Sequence, residues 1–199
     1  LPLVMGHEGS GTVVEVGSGV TDLSVGDHVV LSWVAPCGKC KYCKLGREAQ
    51  CELVATVCAP GGVLHDGTSR LNIGGSPCHH YLGVSSYAEY AVVPATGAIK
   101  VRSDAPLDLI ALVGCAVATG VGAVKNTAKV PAGATIAVIG CGGVGLSVVQ
   151  GGRLARAARI VAVDINAEKT NLALDLGATD ALVVGRDDDA AEALKALMP

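Results

Sequence analysis

At 199 residues the chain has room for one large domain or two small ones, and with 50% hydrophobic residues it can bury a real core. A formal net charge of -3, with Lys and Arg few and scattered, provides no field to draw nucleic acid or an anionic membrane, so neither is expected as a partner. Eight cysteines in a Gly-rich chain read as thiols of a reducing cytoplasm rather than as a disulfide scaffold.

The chain opens at Leu1 within an apolar run that has neither a basic segment nor a cleavage site. No targeting segment is expected, and the start of the protein is expected upstream. Gly6-His7-Glu8 follows, and a lone histidine there carries little by itself. Residues 1 to about 115 are rich in Val, Gly and short alternating runs, the pattern of β structure. Strands are predicted at 13–16, 27–31 and 87–93, separated by turns such as Gly17-Ser18-Gly19 and Val25-Gly26-Asp27.

A polar lobe over 36–52 interrupts these strands. In it Cys37, Cys40, Cys43 and Cys51 stand at the spacing C-x2-C-x2-C-x7-C. Zn2+ takes four tetrahedral ligands, thiolate is one it prefers, and short Cys-x2-Cys steps present several sulfurs to one centre, so the lobe reads as a closed structural zinc site. Three thiols this close cannot all pair internally, and the bacterial ferredoxin run demands a fourth Cys after three residues followed by Pro, which Glu52 and the x7 gap do not supply. Lys39, Lys41, Lys44 and Arg47 are expected to lower the thiol pKa values and offset the negative charge of a zinc tetrathiolate.

From Pro106 the pattern changes to apolar residues at helical spacing through Leu107, Ile110 and Ala111, predicting a helix or two. Cys115 lies just beyond, in Val113-Gly114-Cys115-Ala116, where a free thiol would otherwise be only a small core residue. The stretch 130–152 has no charged residue and is long enough in principle for a membrane span. Pro131 and seven glycines from Gly133 to Gly152 break it instead into strand, loop and helix. Strands are predicted at 134–139, 159–163 and 181–184, alternating with helices at 144–157, 167–176 and 188–197, and that alternation implies a parallel sheet with right-handed crossovers.

Gly140-Cys141-Gly142-Gly143-Val144-Gly145 fills G-x-G-x-x-G between the first of these strands and its helix. Asp164 follows 19 residues after Gly145, at the end of the next strand. In that context the first Gly permits the tight turn, the second lets backbone approach a pyrophosphate, and the third lets helix pack on strand. Asp164 is placed to accept from the adenosine ribose hydroxyls and to repel a 2'-phosphate, so NAD is expected over NADP. A Walker-type P-loop is excluded by the missing Gly-Lys-Ser/Thr.

Taken together, Gly6-His7-Glu8-Gly9-Ser10-Gly11-Thr12-Val13-Val14-Glu15-Val16-Gly17, the four-cysteine lobe, Cys115 and the dinucleotide motif resemble the zinc-containing alcohol dehydrogenases of the medium-chain dehydrogenase/reductase family. Asp66-Gly67-Thr68-Ser69-Arg70 and Cys78-His79-His80-Tyr81-Leu82 further resemble the branch that contains animal and plant alcohol dehydrogenases, glutathione-dependent formaldehyde dehydrogenase and aryl-alcohol dehydrogenases. The resemblance implies a mixed α/β fold: a partial GroES-like β-rich catalytic domain over 1–116, then the first half of a Rossmann doubly wound parallel sheet over 117–199. The family's catalytic zinc is established to sit on two cysteines and one histidine. His7 and Cys115 match two of these ligands, Glu8 matches the carboxylate beside the metal, and the other cysteine falls upstream of Leu1.

The activity implied is hydride transfer between a primary or aryl alcohol and NAD, with zinc as Lewis acid lowering the alcohol's pKa. S-(hydroxymethyl)glutathione dehydrogenase of the same family is an alternative, and a non-catalytic zinc- and nucleotide-binding protein another. By the same resemblance Thr119 and Val144 contact or back the nicotinamide, Lys169 joins Asp164 at the ribose, and Trp33 and Tyr81 line the pocket for a small alcohol or aldehyde. Ordinary core packing accounts for Trp33 and Tyr81 equally well. The full-length protein is expected to be a cytoplasmic homo-oligomer about twice as long. A central apolar strand left at a sheet edge argues for a missing second half, and the chain alone is expected to oxidise no alcohol.

Overall fold

A computed structural model describes residues 2–185 and 188–197. The chain divides into two compact units, Leu1–Cys115 and Ala116–Pro199.

The first unit holds strands β1 (Leu3–Val4), β2 (Gly9–Thr12), β3 (His28–Leu31), β4 (Leu71–Ile73), β5 (Ser76–His80) and β6 (Ala98–Lys100). Three consecutive β-branched and aliphatic side chains, Val29, Val30 and Leu31, make β3 the buried central strand of the antiparallel set β2-β3-β6. Lys100 on β6 closes an ion pair of 2.7 Å with Asp27 at the start of β3. A second sheet, β1-β5-β4, pairs β1 with β5 in parallel and joins β4 to β5 by a hairpin.

Two sequence-based strands change here. The strand expected at 13–16 is found earlier, at Gly9–Thr12, and ends where Val13 exchanges backbone hydrogen bonds of 2.8 Å with Asp27 and Gly26. Beyond that point the chain leaves the ladder in a loop over 14–27 that returns to β3, so 14–16 have no ladder partner among the described residues. The stretch 87–93 is not a strand either. Its alternation leaves Tyr87 and Tyr90 78% and 73% exposed; Tyr87 N–H bonds the Met5 carbonyl at 3.0 Å, and Val93 packs against the core around Val29 and Leu31.

Between β3 and β4 the chain forms short helices α1 (Lys41–Lys44) and α2 (Ala59–Gly61), with a 3-10 turn at Glu48–Gln50 and a π turn at Val54–Cys58. After β6 comes α3 (Leu107–Ile110), continued by a 3-10 turn at Ala111–Gly114. The Ser10 hydroxyl on β2 donates to the Leu107 carbonyl, so α3 is fastened to that strand.

The second unit begins with α4 (Ala116–Gly122) and a π turn at Ala123–Thr127, then alternates β7 (Thr135–Ile139), α5 (Gly143–Leu154), β8 (Arg159–Asp164), α6 (Ala167–Asp175), β9 (Asp180–Val183) and α7 (Ala190–Leu197). The sheet is parallel, in the order β7-β8-β9. Alternate residues of β8 face two separate cores. Ile160 and Ala162 pack with Val138, Val149 and Ala173, while Val161 and Val163 pack with Val184 and Leu194. Asn166 caps α6, its side chain accepting from the Glu168 N–H at 2.8 Å. The charge-free stretch 130–152 is therefore strand, turn and helix, and no single helix among the described residues is long and apolar enough to cross a membrane.

Candidate functional site: two metal-ligating clusters and a dinucleotide turn

Cys37, Cys40, Cys43 and Cys51 bring their sulfurs within 4.8 Å of one another, Cys43 and Cys51 buried and the other two half-buried. Helix α1 sets the spacing: Cys40 stands just before it and Cys43 one turn on, so both face the same point. The Cys37 and Cys43 sulfurs lie 4.0 Å apart. That is far beyond a disulfide bond and close to the edge of a zinc tetrathiolate, about 3.8 Å for tetrahedral Zn–S bonds. Backbone N–H groups of Lys39 and Cys40 point at the Cys37 sulfur and that of Cys37 at the Cys51 sulfur, each at 3.4 Å. Such donors suit thiolate acceptors. Cys40 is held down to about 6, first by the backbone N–H of Cys43, whereas burial pushes Cys43 up to about 12. Against its own burial, Cys51 too lies below its ordinary value, lowered by backbone hydrogen bonds from Val54 and Cys37, so thiolates are favoured at more than one position and a divalent cation is the partner this donor set fits.

The basic residues do less than the sequence suggests. Backbone N–H groups, not lysines, head the causes that lower Cys40. Lys41 is engaged elsewhere, 3.3 Å from Glu52 and 4.9 Å over the Tyr42 ring.

His7, Glu8 and Cys115 form the second cluster. One ligand atom from each lies within 4.8 Å of the others, all three residues half-buried. The imidazole, carboxylate and thiol are all zinc donors, so the set fits that metal. Gly6 sits at φ +93°, and a Cβ there would stand 2.6 Å from Ser86 and Tyr87, so only glycine lets the chain turn so tightly against them. Ser86 completes the clamp: its N–H donates to the Gly6 carbonyl and its hydroxyl to the Glu8 carbonyl, both at 3.0 Å. Tyr81 meets His7 edge-on, with ring centroids 5.7 Å apart. Cys115 arrives from the other end of the unit. Gly114 permits this, since a Cβ there would lie 2.2 Å from the Leu31 carbonyl oxygen on β3.

The third site is the turn Gly140-Cys141-Gly142 between β7 and α5. Gly140 adopts φ +92° and its N–H donates to the Val163 carbonyl at 2.8 Å. A Cβ on Gly145 would lie 1.8 Å from the Gly140 carbonyl oxygen, so the first turn of α5 rests directly on the end of β7. Gly142 and Gly143 are exposed, Val144 is 44% exposed, and α5 points its free N–H groups into that space. Asp164 ends β8 beside the turn. Its carboxyl lies below the usual carboxylate range, chiefly because the Cys141 N–H donates to it, with the Lys169 charge a smaller contribution. Thr119 is exposed on α4. Trp33 is half-buried between the cysteine lobe, against Cys43, Cys51 and Val54, and the core around Val29, Leu31 and Val84, whereas Tyr81 meets His7.

The family model for the alcohol dehydrogenase GroES-like domain matches residues 1–103. The chain belongs to that family. It is 49% identical over 182 residues to a Synechocystis protein named S-(hydroxymethyl)glutathione dehydrogenase, an alignment covering 91% of this chain and 49% of that one. Among solved structures, an alcohol dehydrogenase zinc-binding domain protein from Burkholderia ambifaria superposes with a TM-score of 0.90 at 41% identity, covering 99% of this chain and 53% of that one. Benzyl alcohol dehydrogenase from Acinetobacter calcoaceticus does so with 0.84 at 35% identity, covering 99% and 52%. The chain thus spans about half the length of the relatives it matches, and it groups with zinc-containing alcohol dehydrogenases of the medium-chain family. The mixed α/β class, GroES-like β structure followed by a Rossmann-type parallel sheet, is the fold found.

In this alcohol dehydrogenase family member, the residues that sequence reading missed are those that position the candidate ligands. Ser86 and Gly114 carry no motif of their own. Gly6, adjacent to His7, gave a signal only through its residue type.

Proposed function

We propose that the chain carries zinc and NAD sites of a dehydrogenase that transfers hydride between a primary or aryl alcohol and NAD. The observation that carries this reading is the convergence of His7, Glu8 and Cys115 within 4.8 Å, although Cys115 lies 108 positions from His7. In it, residues 1–116 form the catalytic domain and 117–199 the NAD-binding domain. His7 and Cys115 hold the working zinc with Glu8 beside it, while Cys37, Cys40, Cys43 and Cys51 hold a structural one. Loaded, these sites supply Lewis acidity toward the substrate oxygen and a nicotinamide that accepts hydride. The chain's own residues supply position: Ser86 fixes the loop that carries His7 and Glu8, and Tyr81 sets the imidazole plane. Gly140, Gly142, Gly143, Val144 and Gly145 cradle the pyrophosphate, Asp164 and Lys169 take the ribose, and Thr119 stands toward the nicotinamide. Trp33 and Tyr81 are the candidates for the substrate wall. The name of the Synechocystis relative favours S-(hydroxymethyl)glutathione as the second reading.

Cobalt titration followed by visible absorption tests the metal assignment. Two thiolate-ligated sites are expected, of which His7→Ala removes one; two sites retained in that variant overturn it. Calorimetric titration is expected to show NAD bound at least about tenfold more tightly than NADP, and equal affinities overturn the NAD assignment. With zinc and NAD present, separate titrations of benzyl alcohol and S-(hydroxymethyl)glutathione distinguish the two substrate readings by which one binds.

A further inference from the structure

We propose that Asp164 is a positioning residue for the dinucleotide turn: its carboxylate fixes the turn by accepting the Cys141 N–H, in addition to any contact with ribose. The proposal rests on the NAD reading of this site.

A carboxylate kept solely for ribose hydroxyls has no need of backbone partners. Here one oxygen accepts from Cys141 N–H at 2.7 Å and the other from Asn166 N–H at 3.0 Å. Cys141 is the second residue of Gly140-Cys141-Gly142, so the first of these bonds reaches into the turn. Two further contacts run from the turn to the residue before Asp164, the Gly140 N–H at 2.8 Å and the Cys141 sulfur at 3.7 Å, both to the Val163 carbonyl. The turn is thereby fastened to the end of β8 on one side and pressed by Gly145 on the other. Of these fastenings only the one from Asp164 is charge-assisted, and such bonds are the strong ones. Cys141 itself is 1% exposed with its amide committed to Asp164, while Gly142, Gly143 and Val144 are exposed.

This role reverses the sign of a simple expectation. If Asp164 acts only on ribose, removing its negative charge leaves pyrophosphate binding unchanged or improves it, and lets NADP in. If it also fastens the turn, the same change loosens the phosphate cradle and weakens pyrophosphate binding, whatever NADP gains at the ribose.

The test titrates inorganic pyrophosphate, which has no ribose, into the full chain while following the Gly142, Gly143 and Gly145 amides by NMR. Asp164→Ala is expected to weaken pyrophosphate about tenfold, and Asp164→Asn, which keeps one acceptor oxygen, by less. Exchange of the Cys141 amide is expected to rise at least about tenfold in the Ala variant while that of Val161, in the core of β8, stays unchanged. Unaltered or tighter pyrophosphate binding by Asp164→Ala overturns the proposal, as does unaltered Cys141 exchange. A rise that includes Val161 also overturns it, because it assigns Asp164 to the stability of the sheet. A wild-type chain that binds pyrophosphate but not NAD sinks the NAD reading alone, and one that binds neither leaves the Cys141 exchange to decide.

Discussion

Cys43 shows most sharply what a single side chain does here. It is buried, its burial disfavours the lone thiolate, and three further sulfurs converge on it. A serine hydroxyl stays protonated at neutral pH and is a poor fourth ligand, so Cys43→Ser is expected to lower zinc by one ion per chain in elemental analysis. The loss of folding free energy is large, since apparent zinc binding to such sites in small peptides is on the order of 10 kcal/mol. Cys58→Ser is the matched comparison: Cys58 is also buried but stands outside the cluster, so it is expected to keep its zinc and lose about 1–3 kcal/mol. Retained zinc in Cys43→Ser overturns the four-cysteine assignment. At this scale the sequence was most legible, because the convergence of the four cysteines is written in their residue type and spacing. Ser86 was not, because its contribution is two hydrogen bonds to the backbone of residues some 80 positions away, which no local pattern encodes.

Helices and strands were legible to the extent that their own residues decide them. Strand β8 combines β-branched residues with burial on both faces, and its limits come out within one residue of the expectation. Strand β2 was obscured by Gly9 and Gly11, which weaken any strand signal. Gly9 is nonetheless required, since a Cβ there would lie 2.7 Å from that of Ser86. The stretch 87–93 shows the converse, a convincing alternation with no ladder partner among the described residues. In the second unit the contact of α4 with α5 depends on Gly120, where an added Cβ would meet Ser147, the Val144 carbonyl and the Val148 amide at 2.5–2.7 Å. Much of that obstruction is backbone, which cannot move aside. Gly120→Ala is expected to cost about 1–3 kcal/mol in a denaturant melt, against about 0.5 kcal/mol or less for Lys125→Ala on the exposed π turn. Equal costs for the two would show that the helices do not pack through Gly120.

Across the whole molecule, both units hold carboxylates below their ordinary pKa. In the first, Lys100 lowers Asp27; in the second, Arg159 lowers Asp180 to about 2 through bonds of 2.8 Å to both carboxylate oxygens. A carboxylate with a depressed folded pKa stabilises fully above its ordinary value of 3.8 and loses that contribution as pH falls through the folded value. Asp180→Asn is therefore expected to lower the denaturation midpoint at neutral pH, with the gap to wild type closing as pH approaches about 2. A gap independent of pH would assign the effect to packing. The two metal-ligating clusters also differ in a way that concerns time rather than energy. Cys37 and Cys51 are 14 positions apart, His7 and Cys115 are 108. Closing the longer loop costs about 2 kcal/mol more chain entropy. During folding the cysteine lobe can form from its own short segment, whereas the histidine cluster has to wait until β3 and α3 have brought distant stretches of chain together. In the proposed metal assignment, the lobe is then expected to capture metal first, the order of assembly following separation along the chain.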